Sequence, residues 1–302
     1  MIIPPFLKQN SLIGLVSPAG KVEVSEIERA QEYLTSKGFR YLTSPHAADS
    51  FHQFSSTDNQ RANDLQMMFD KPDIEAIWCT RGGYGAIRLL DKLNFDTLKK
   101  NPKWLIGFSD ITVLHSVFQK LGIASIHAPM CRNLKEDDYN NSGMETLWKF
   151  LKGTIPSYNL PAHELNRVGK ANGILVGGNL SLLYALKGSS YDFNPKGKIL
   201  FIEDVGEYLY QLDRMMQAMK VGGKLSGLSG LIVGQMSGMK DNDTPFGMSA
   251  YQIIADAVSE YDYPVMFDFP AGHTERNEPL LLGGEVRIDV SAEKSVLCWE
   301  KI

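Results

Sequence analysis

The sequence predicts an α/β fold in which a parallel sheet is covered by helices on both faces. Short apolar runs bounded by glycine, proline or polar residues alternate with segments whose apolar residues recur at helical spacing. The short runs are typical of buried strands, and the periodic segments are typical of amphipathic helices. Strands that alternate with helices favour a parallel sheet with right-handed crossovers. The alternation is regular in the first half of the chain, whereas the second half is less regular and ends in a β-rich tail.

The first half alternates strands and helices, so the carboxyl ends of its parallel strands should meet at one edge of the sheet. Open α/β sheets bind ligands at that edge. Two glycine-containing loops, 81–85 and 107–110, both follow strands and are expected to share it. The predicted strands are 11–17, 39–42, 74–79, 104–106 and 124–127, and the predicted helices are 24–37, 57–70, 86–93 and 110–121.

Residues 131–170 interrupt the alternation and are predicted to link two domains. They are polar, carry the acidic patch 136–138 and contain one predicted helix, 144–151. Such a change in composition is typical of a domain boundary. We therefore expect a first domain at 1–130 and a second domain at 171–302.

The second half contains strands and helices in a looser order. Its strand at 198–202 is wholly apolar and ends at Glu203 and Asp204. The helix at 208–221 carries a stripe of methionines, which is more typical of core packing than of a ligand surface. The other predicted elements are a strand at 173–176 before the turn Gly177-Gly178-Asn179, a helix that ends at Leu186, a strand at 231–234, a helix at 249–261, and strands at 280–282, 286–290 and 296–299.

Composition excludes several classes of function. The chain has 302 residues, 43% of them hydrophobic, and a net charge of −4. This length suits two domains, and the charge argues against a nucleic-acid or membrane-surface protein. No segment has the apolar length of a transmembrane helix or the pattern of a secretory signal. Cys79, Cys131 and Cys298 are far apart, which predicts reduced thiols in a cytoplasmic protein rather than a disulfide framework or a metal site.

Ser109 stands at a predicted strand-to-helix turn and is a candidate nucleophile. The strand 104–106 precedes it, and a helical pattern begins at Asp110. The N–H groups at a helix start have no partner within the helix, so they can stabilise a developing oxyanion. A plain N-cap serine is the competing interpretation, and this stretch alone favours it.

A base and an acid are needed to activate such a serine. His273 follows a strand and the turn Pro270-Ala271-Gly272, while His127 ends a strand at the same edge as Ser109 and is a rival base. Glu203 or Asp204 could orient the histidine, although either could instead cap the next helix.

Other motifs point away from nucleotides and metals. Gly82-Gly83 and Gly177-Gly178 fit neither dinucleotide nor P-loop spacing, so close backbone approach to a substrate carbonyl explains these glycines better. No histidine and cysteine cluster predicts a metal, and no cofactor is expected. Ile111 occupies the last position of a G-x-S-x-G pattern, which excludes an α/β-hydrolase elbow.

These pieces together resemble the LD-carboxypeptidases, the serine peptidase family that also contains the microcin C immunity proteins. The resemblance extends from Ile13 to about Val290. It is carried, in order, by Arg81-Gly82-Gly83-Tyr84-Gly85, Gly107-Phe108-Ser109-Asp110, Gly177-Gly178-Asn179, Phe201-Ile202-Glu203-Asp204, Asp213-Arg214 and Pro270-Ala271-Gly272-His273.

The resemblance implies a Ser109, Glu203 and His273 triad. It also implies an oxyanion hole made by the backbone N–H groups of Asp110 and of Gly82 or Gly83. The implied fold is a flavodoxin-like first domain and a smaller, β-rich α/β second domain, with the active site between them, in a homodimer.

The function expected from the resemblance is cytoplasmic removal of the terminal D-alanine from muropeptide tetrapeptides during peptidoglycan recycling. The partner is then a small peptide, with no nucleic acid and no membrane. Asn179 and Arg81 are candidates for binding the terminal carboxylate, although Arg81 could instead brace its own loop. A microcin C immunity-type hydrolase of aminoacyl-nucleotide conjugates is the alternative, and it would use Tyr184, Tyr191, Phe193 or Tyr208 as a platform for the base. A non-catalytic protein that binds a small ligand is the third alternative.

Overall fold

A computed structural model describes residues 1–135 and 142–301, and these divide into two units. The first unit is Met1–Ile155 together with Arg276–Leu281, and the second is Pro156–Glu275 together with Leu282–Ile302. The predicted linker, 131–170, contains a helix that belongs to the first unit and strands that belong to the second. The acidic patch predicted at 136–138 lies outside the described residues.

The first unit is a sheet of parallel strands joined by helices, as the alternating pattern predicts. Each strand is short and almost wholly buried, except for the exposed edge strand β2. The elements are β1 (Leu12–Val16), α1 (Val24–Ser36), β2 (Arg40–Thr43), α2 (Asp58–Asp70), β3 (Ile74–Cys79), α3 (Asp96–Lys100), β4 (Trp104–Gly107), α4 (Thr112–Leu121), β5 (Ser125–His127) and α5 (Ser142–Leu151).

The strand order in this sheet is β2-β1-β3-β4-β5. All four pairs in that series are parallel. This is the flavodoxin-like order, whose ligand site lies beyond the carboxyl ends of the strands. The predicted fold class of the first half is therefore confirmed. One late segment of the chain, Leu280–Leu282, adds a further strand beside β5.

The second unit contains a larger, mixed sheet. Its strands and helices are β6 (Tyr158–Pro161), β7 (Gly169–Asn179), α6 (Leu180–Ala185), β8 (Lys198–Val205), α7 (Leu209–Val221), β9 (Gly230–Ser237), α8 (Ala250–Ala257), β10 (Val265–Met266), β12 (Glu285–Val290) and β13 (Lys294–Lys301). The strand of the first sheet that precedes β12 in sequence is β11 (Leu280–Leu282).

The second sheet is parallel at one side and antiparallel at the other. Its order is β10-β9-β8-β7-β12-β13-β6, and the pairs from β7 to β10 are parallel. The pairs among β7, β12, β13 and β6 are antiparallel. This half confirms the predicted β-rich α/β character. Helices α6, α7 and α8 cover the parallel part, and the methionine stripe Met215, Met216 and Met219 is buried in that core.

Candidate active-site residues

Ser109 lies just beyond the carboxyl end of β4, in a turn that leads through a short 3₁₀ segment into α4. Phe108 before it is extended, with φ −153° and ψ −169°, whereas Ser109 has φ +61°, in the left-handed region. A non-glycine residue held there stores roughly 1–3 kcal/mol of strain, and such residues cluster at active sites. The N-cap position of α4 is Ile111. The plain N-cap interpretation therefore does not describe Ser109.

The glycine loop after β3 packs directly on this turn. A Cβ placed on Gly82 would lie 2.8 Å from Ser109 Cβ, 3.1 Å from its Oγ and 3.3 Å from the backbone nitrogen of Asp110. Only glycine fits at such a distance. The carbonyl of Gly82 accepts a hydrogen bond of 2.9 Å from the N–H of Gly20, which fixes the peptide plane between Gly82 and Gly83. The structure thus brings Ser109, Asp110 and Gly82 together within the first unit.

Two charged side chains hold this region in place. The Asp110 carboxyl group is buried and accepts a hydrogen bond of 2.7 Å from the N–H of Ala86. Burial raises the pKa of Asp110 to about 6, although the Ala86 hydrogen bond and the charge of Arg61 oppose the rise. Arg81 donates from Nη1 to the carbonyl of Lys21 at 2.6 Å. Arg81 therefore braces its own loop, and its role in binding a carboxylate stays a prediction.

In the second unit, Glu203 and His273 form a hydrogen-bonded pair. Nδ1 of His273 lies 2.8 Å from Oε2 of Glu203, whose side chain is fully buried. A carboxylate can only accept, so Nδ1 carries the proton and Nε2 is the nitrogen left to act as a base. Burial by itself lowers the pKa of His273, but the hydrogen bond and charge of Glu203, together with the charge of Asp204, outweigh it and raise that pKa above the ordinary value.

The loop that carries His273 is shaped around the acid. Gly272 has φ +115°, and a Cβ there would lie 2.7 Å from Oε2 and 2.8 Å from Cβ of Glu203. Ser237 Oγ donates to the carbonyl of His273 at 2.6 Å, which holds the loop backbone from the other side. The position after Ala271 therefore has to be glycine for the histidine and the acid to approach each other this closely.

The structure gives different contacts to Glu203 and Asp204, the two acids between which the sequence does not choose. Both lie at the end of β8, which is longer than predicted, and the register with β9 shifts between Ile202 and Asp204. Glu203 contacts His273, whereas Asp204 accepts hydrogen bonds from the Asn179 side chain (3.0 Å) and from the backbone N–H of Ser181 (2.9 Å). Burial, and next the charge of Glu203, raise the pKa of Asp204 to about 7.

Asn179 is buried at the start of α6 and caps that helix, because its side chain accepts a hydrogen bond from the N–H of Leu182. Together with its bond to Asp204, this ties the end of β7 to the end of β8. These contacts describe a structural role, and the predicted role of Asn179 in binding a carboxylate stays a prediction.

The other histidines occupy different environments. His127, the rival base, is fully buried and packs on the Phe108 ring at 5.7 Å between centroids. His115 is also buried; its Nε2 lies 2.9 Å from the carbonyl of Gly107 and its Nδ1 lies 2.8 Å from Ser125 Oγ. Burial lowers the pKa of His115 to about 4.

Arg61 is a further residue at this edge, and none of the sequence motifs indicated it. It is 1% exposed and donates to carbonyl groups at the carboxyl edge of the first sheet. Its spacing could have revealed it, because Arg61 shares a helix face with Leu65 and Met68, both of which are buried.

Within residues 1–135 and 142–301, no cluster of three or more histidine, cysteine, aspartate or glutamate side chains is arranged to bind a metal ion. In the same part of the chain, no helix has the length and apolar character needed to cross a membrane.

Both halves of the chain are similar to known proteins. Residues 13–128 match the family model of the LD-carboxypeptidase N-terminal domain, and residues 172–288 match that of the LD-carboxypeptidase C-terminal domain. A probable murein peptide carboxypeptidase of Bacillus subtilis is 28% identical over 97% of this chain and 93% of its own.

Two solved structures share the fold. The muramoyltetrapeptide carboxypeptidase from Oxalobacter formigenes is 27% identical, with a TM-score of 0.88 over 96% of this chain and 99% of its own. MccF in complex with glutamyl sulfamoyl guanosine is 23% identical, with a TM-score of 0.88 over 99% of this chain and 98% of its own.

Proposed function

Because the chain belongs to the LD-carboxypeptidase family, and therefore to a family of peptidases, we propose that it is a serine carboxypeptidase that removes the terminal D-alanine from muropeptide tetrapeptides. The observation that carries the proposal is the Glu203 and His273 pair. A buried carboxylate fixes the imidazole in the tautomer that leaves Nε2 as a base, at the residues to which the resemblance assigns those roles.

In the proposed mechanism, His273 takes the proton of the Ser109 hydroxyl as that oxygen attacks the scissile carbonyl carbon. Glu203 stabilises the imidazolium that forms and keeps its ring oriented. The backbone N–H of Asp110 and that of Gly82 or Gly83 hold the negative oxygen of the tetrahedral intermediate. The imidazolium then protonates the amine of the departing D-alanine, and water hydrolyses the acyl-enzyme.

The left-handed conformation of Ser109 supports this assignment. The strain of the turn is tolerated because Gly82 leaves room beside it and because Asp110 is held by Ala86. Such strain serves no purpose at an ordinary helix start, whereas at a nucleophile it pre-organises the hydroxyl group. We extend the proposal to a homodimer that works in the cytoplasm on recycled peptidoglycan fragments, as the resemblance implies.

The direct test is release of D-alanine from a defined tetrapeptide. Ser109→Ala should lose nearly all turnover, keeping at most the roughly 10³–10⁴-fold acceleration over water that binding and the oxyanion hole provide in such enzymes. Ser116→Ala is the matched control, because Ser116 lies on α4 and donates only to the carbonyl of Thr112 among its identified contacts. An active Ser109→Ala variant would disprove the role of this serine.

The base is tested in the same assay. His273→Ala should be as inactive as Ser109→Ala, and the double variant no worse, since residues that act as a unit are not additive. His127→Ala should affect stability more than turnover, because His127 is a fully buried packing residue. The opposite ranking would transfer the role of base to His127.

The second candidate is a hydrolase of aminoacyl-nucleotide conjugates, as the fold shared with MccF allows. Tyr184 and Tyr208 are 39% and 38% exposed in the second unit and could stack on a base, whereas Phe193 is buried. Comparing kcat/KM for a tetrapeptide and for an aminoacyl sulfamoyl nucleotide separates the two. Preference for the nucleotide conjugate would replace the carboxypeptidase assignment.

A further inference from the structure

One peptide unit in the first unit of the protein is held at both ends by charged side chains. The carbonyl of Gly85 accepts a hydrogen bond of 3.0 Å from Nη1 of Arg61, and the N–H of Ala86 donates to Oδ2 of Asp110 at 2.7 Å. These two groups belong to the same planar peptide bond. Hydrogen bonds at both of its ends therefore fix the orientation of that plane, which ends the loop 81–85.

Further contacts hold the guanidinium group of Arg61 in place. Its guanidinium group also donates to the carbonyls of Pro18 (2.6 Å) and Ser56 (3.1 Å) and is paired with Asp58. Burying a guanidinium is costly unless its donors are satisfied. Only the planar fork of arginine can reach these acceptors at once; a lysine has one nitrogen at the end of a flexible chain.

Packing at Gly85 shows how closely the arginine approaches. A Cβ on Gly85 would lie 2.7 Å from Nη1 of Arg61 and 2.9 Å from the ring of Phe54. The guanidinium group lies over that ring, 4.8 Å from its centroid. The carboxyl end of the glycine loop is thus enclosed by Arg61 and Phe54, while its other end is attached through Gly82 to Gly20.

We propose that Arg61 is a positioning residue for the oxyanion hole. Together with the Asp110 carboxyl group it holds the Gly85–Ala86 peptide in place. This in turn fixes the position of the oxyanion donor, the backbone N–H of Gly82 or Gly83, beside Ser109. The inference rests on the proposed function, in which Asp110 supplies one oxyanion donor and the glycine loop supplies the other. Asp110 then contributes a donor through its backbone and holds the second donor through its side chain.

The expected effect follows from the demands of an oxyanion hole. Its donors must stand about 2.7–3.1 Å from the developing charge, and loss of one donor lowers kcat roughly 10²–10³-fold. In an Arg61 variant the glycine loop keeps its own sequence but loses the hydrogen bond from Arg61. The decrease in kcat should therefore lie at the lower end of that range. Ground-state binding should change little, because the oxyanion exists only in the transition state.

Lys103 offers a matched control in the same unit. It is also a fully buried cation, and it donates to the carbonyls of Lys71 and Ile74, beside the amino ends of β3 and β4. Lys103→Met therefore removes the same kind of interaction at the opposite end of the strands. It should lower the unfolding midpoint and leave kcat at the wild-type value.

The experiment compares Arg61→Met, Arg61→Lys and Lys103→Met in three measurements. These are the unfolding midpoint, kcat and KM on the tetrapeptide, and hydrogen exchange of the amides of residues 82–86. Arg61→Met should lower kcat roughly 10²-fold with little change in KM and should speed exchange in that segment. Arg61→Lys should recover only a small part of kcat, and it serves in the same measurements if Arg61→Met does not fold.

A folded Arg61 variant with wild-type kcat, or with unchanged exchange at residues 82–86, would overturn the inference. Failure of the proposed function looks different, because wild-type protein then releases no D-alanine. In that case hydrogen exchange is the measurement that tests the clamp on the Gly85–Ala86 peptide. Faster exchange confined to residues 82–86 in the Arg61 variants still supports it.

Discussion

Gly272→Ala should damage both the stability of the second unit and its Glu203 and His273 pair. The new Cβ would stand 2.7 Å from Oε2 and 2.8 Å from Cβ of the fully buried Glu203, on a backbone with φ +115°. The backbone conformation costs about 1–3 kcal/mol for a residue with a side chain. Overpacking adds about 1–3 kcal/mol. The loss of stability should therefore be about 2–6 kcal/mol.

Gly223→Ala separates strain from overpacking. Gly223 has φ +71° in the same unit, and a Cβ there would have no atom within 4 Å. This control should cost only about 1–2 kcal/mol, for the left-handed backbone alone. The remaining difference between the two variants contains the contact with Glu203 and the additional backbone strain at φ +115°. Urea unfolding at several temperatures, with a comparison of midpoints and slopes, provides the numbers.

The two variants should also differ in activity. Displacing Glu203 misorients the imidazole, and misplacement by about 1 Å can lower a rate roughly 10²-fold. We expect Gly272→Ala to lose about 10- to 100-fold in kcat, while Gly223→Ala retains the wild-type value. The reasoning is refuted if Gly272→Ala is as stable as Gly223→Ala and equally active, because Glu203 would then move aside without consequence.

Three further predictions concern pH, metals and the leaving group. His115 has its pKa lowered to about 4 in the folded state, so the unfolded chain binds its proton first and His115 should contribute a loss of roughly 2–4 kcal/mol in stability as pH decreases from about 6.5 to about 4; because the raised pKa values of Asp110 and Asp204 act in the opposite direction, the loss is measured as the difference between the wild-type and His115→Gln unfolding curves against pH, and a constant difference would contradict it. Exhaustive chelation should leave peptidase activity intact, since the triad chemistry needs no metal; activity that is lost and then restored by zinc would reveal a metal site. Capping the terminal D-alanine as an amide should lower kcat/KM roughly ten- to a hundredfold, because donors arranged for a carboxylate would be left unpaired; equal cleavage of acid and amide would argue against a carboxypeptidase.

Local patterns in the sequence predict the elements of this fold well. Apolar runs and helical spacing mark the strands and helices of the first sheet, because both depend on which side chains face the core within a few residues. The same logic places Ser109 and the loop 81–85 after strands, and the methionine stripe of 208–221 in a core. The motif series from Arg81 to His273 predicts the family, because these motifs occur in the family's order along most of the chain.

Only the tertiary structure decided which side chains meet. Glu203 and Asp204 are neighbours in sequence and are both buried, yet Glu203 contacts His273 whereas Asp204 contacts Asn179. The burial of Arg61 depends on carbonyls of Pro18 and Gly85, which are distant in sequence. Segment Arg276–Leu281 belongs to the first unit although the segment directly before it, Pro156–Glu275, belongs to the second. Such partners come from chain segments that fold together over long distances, and no local periodicity encodes them.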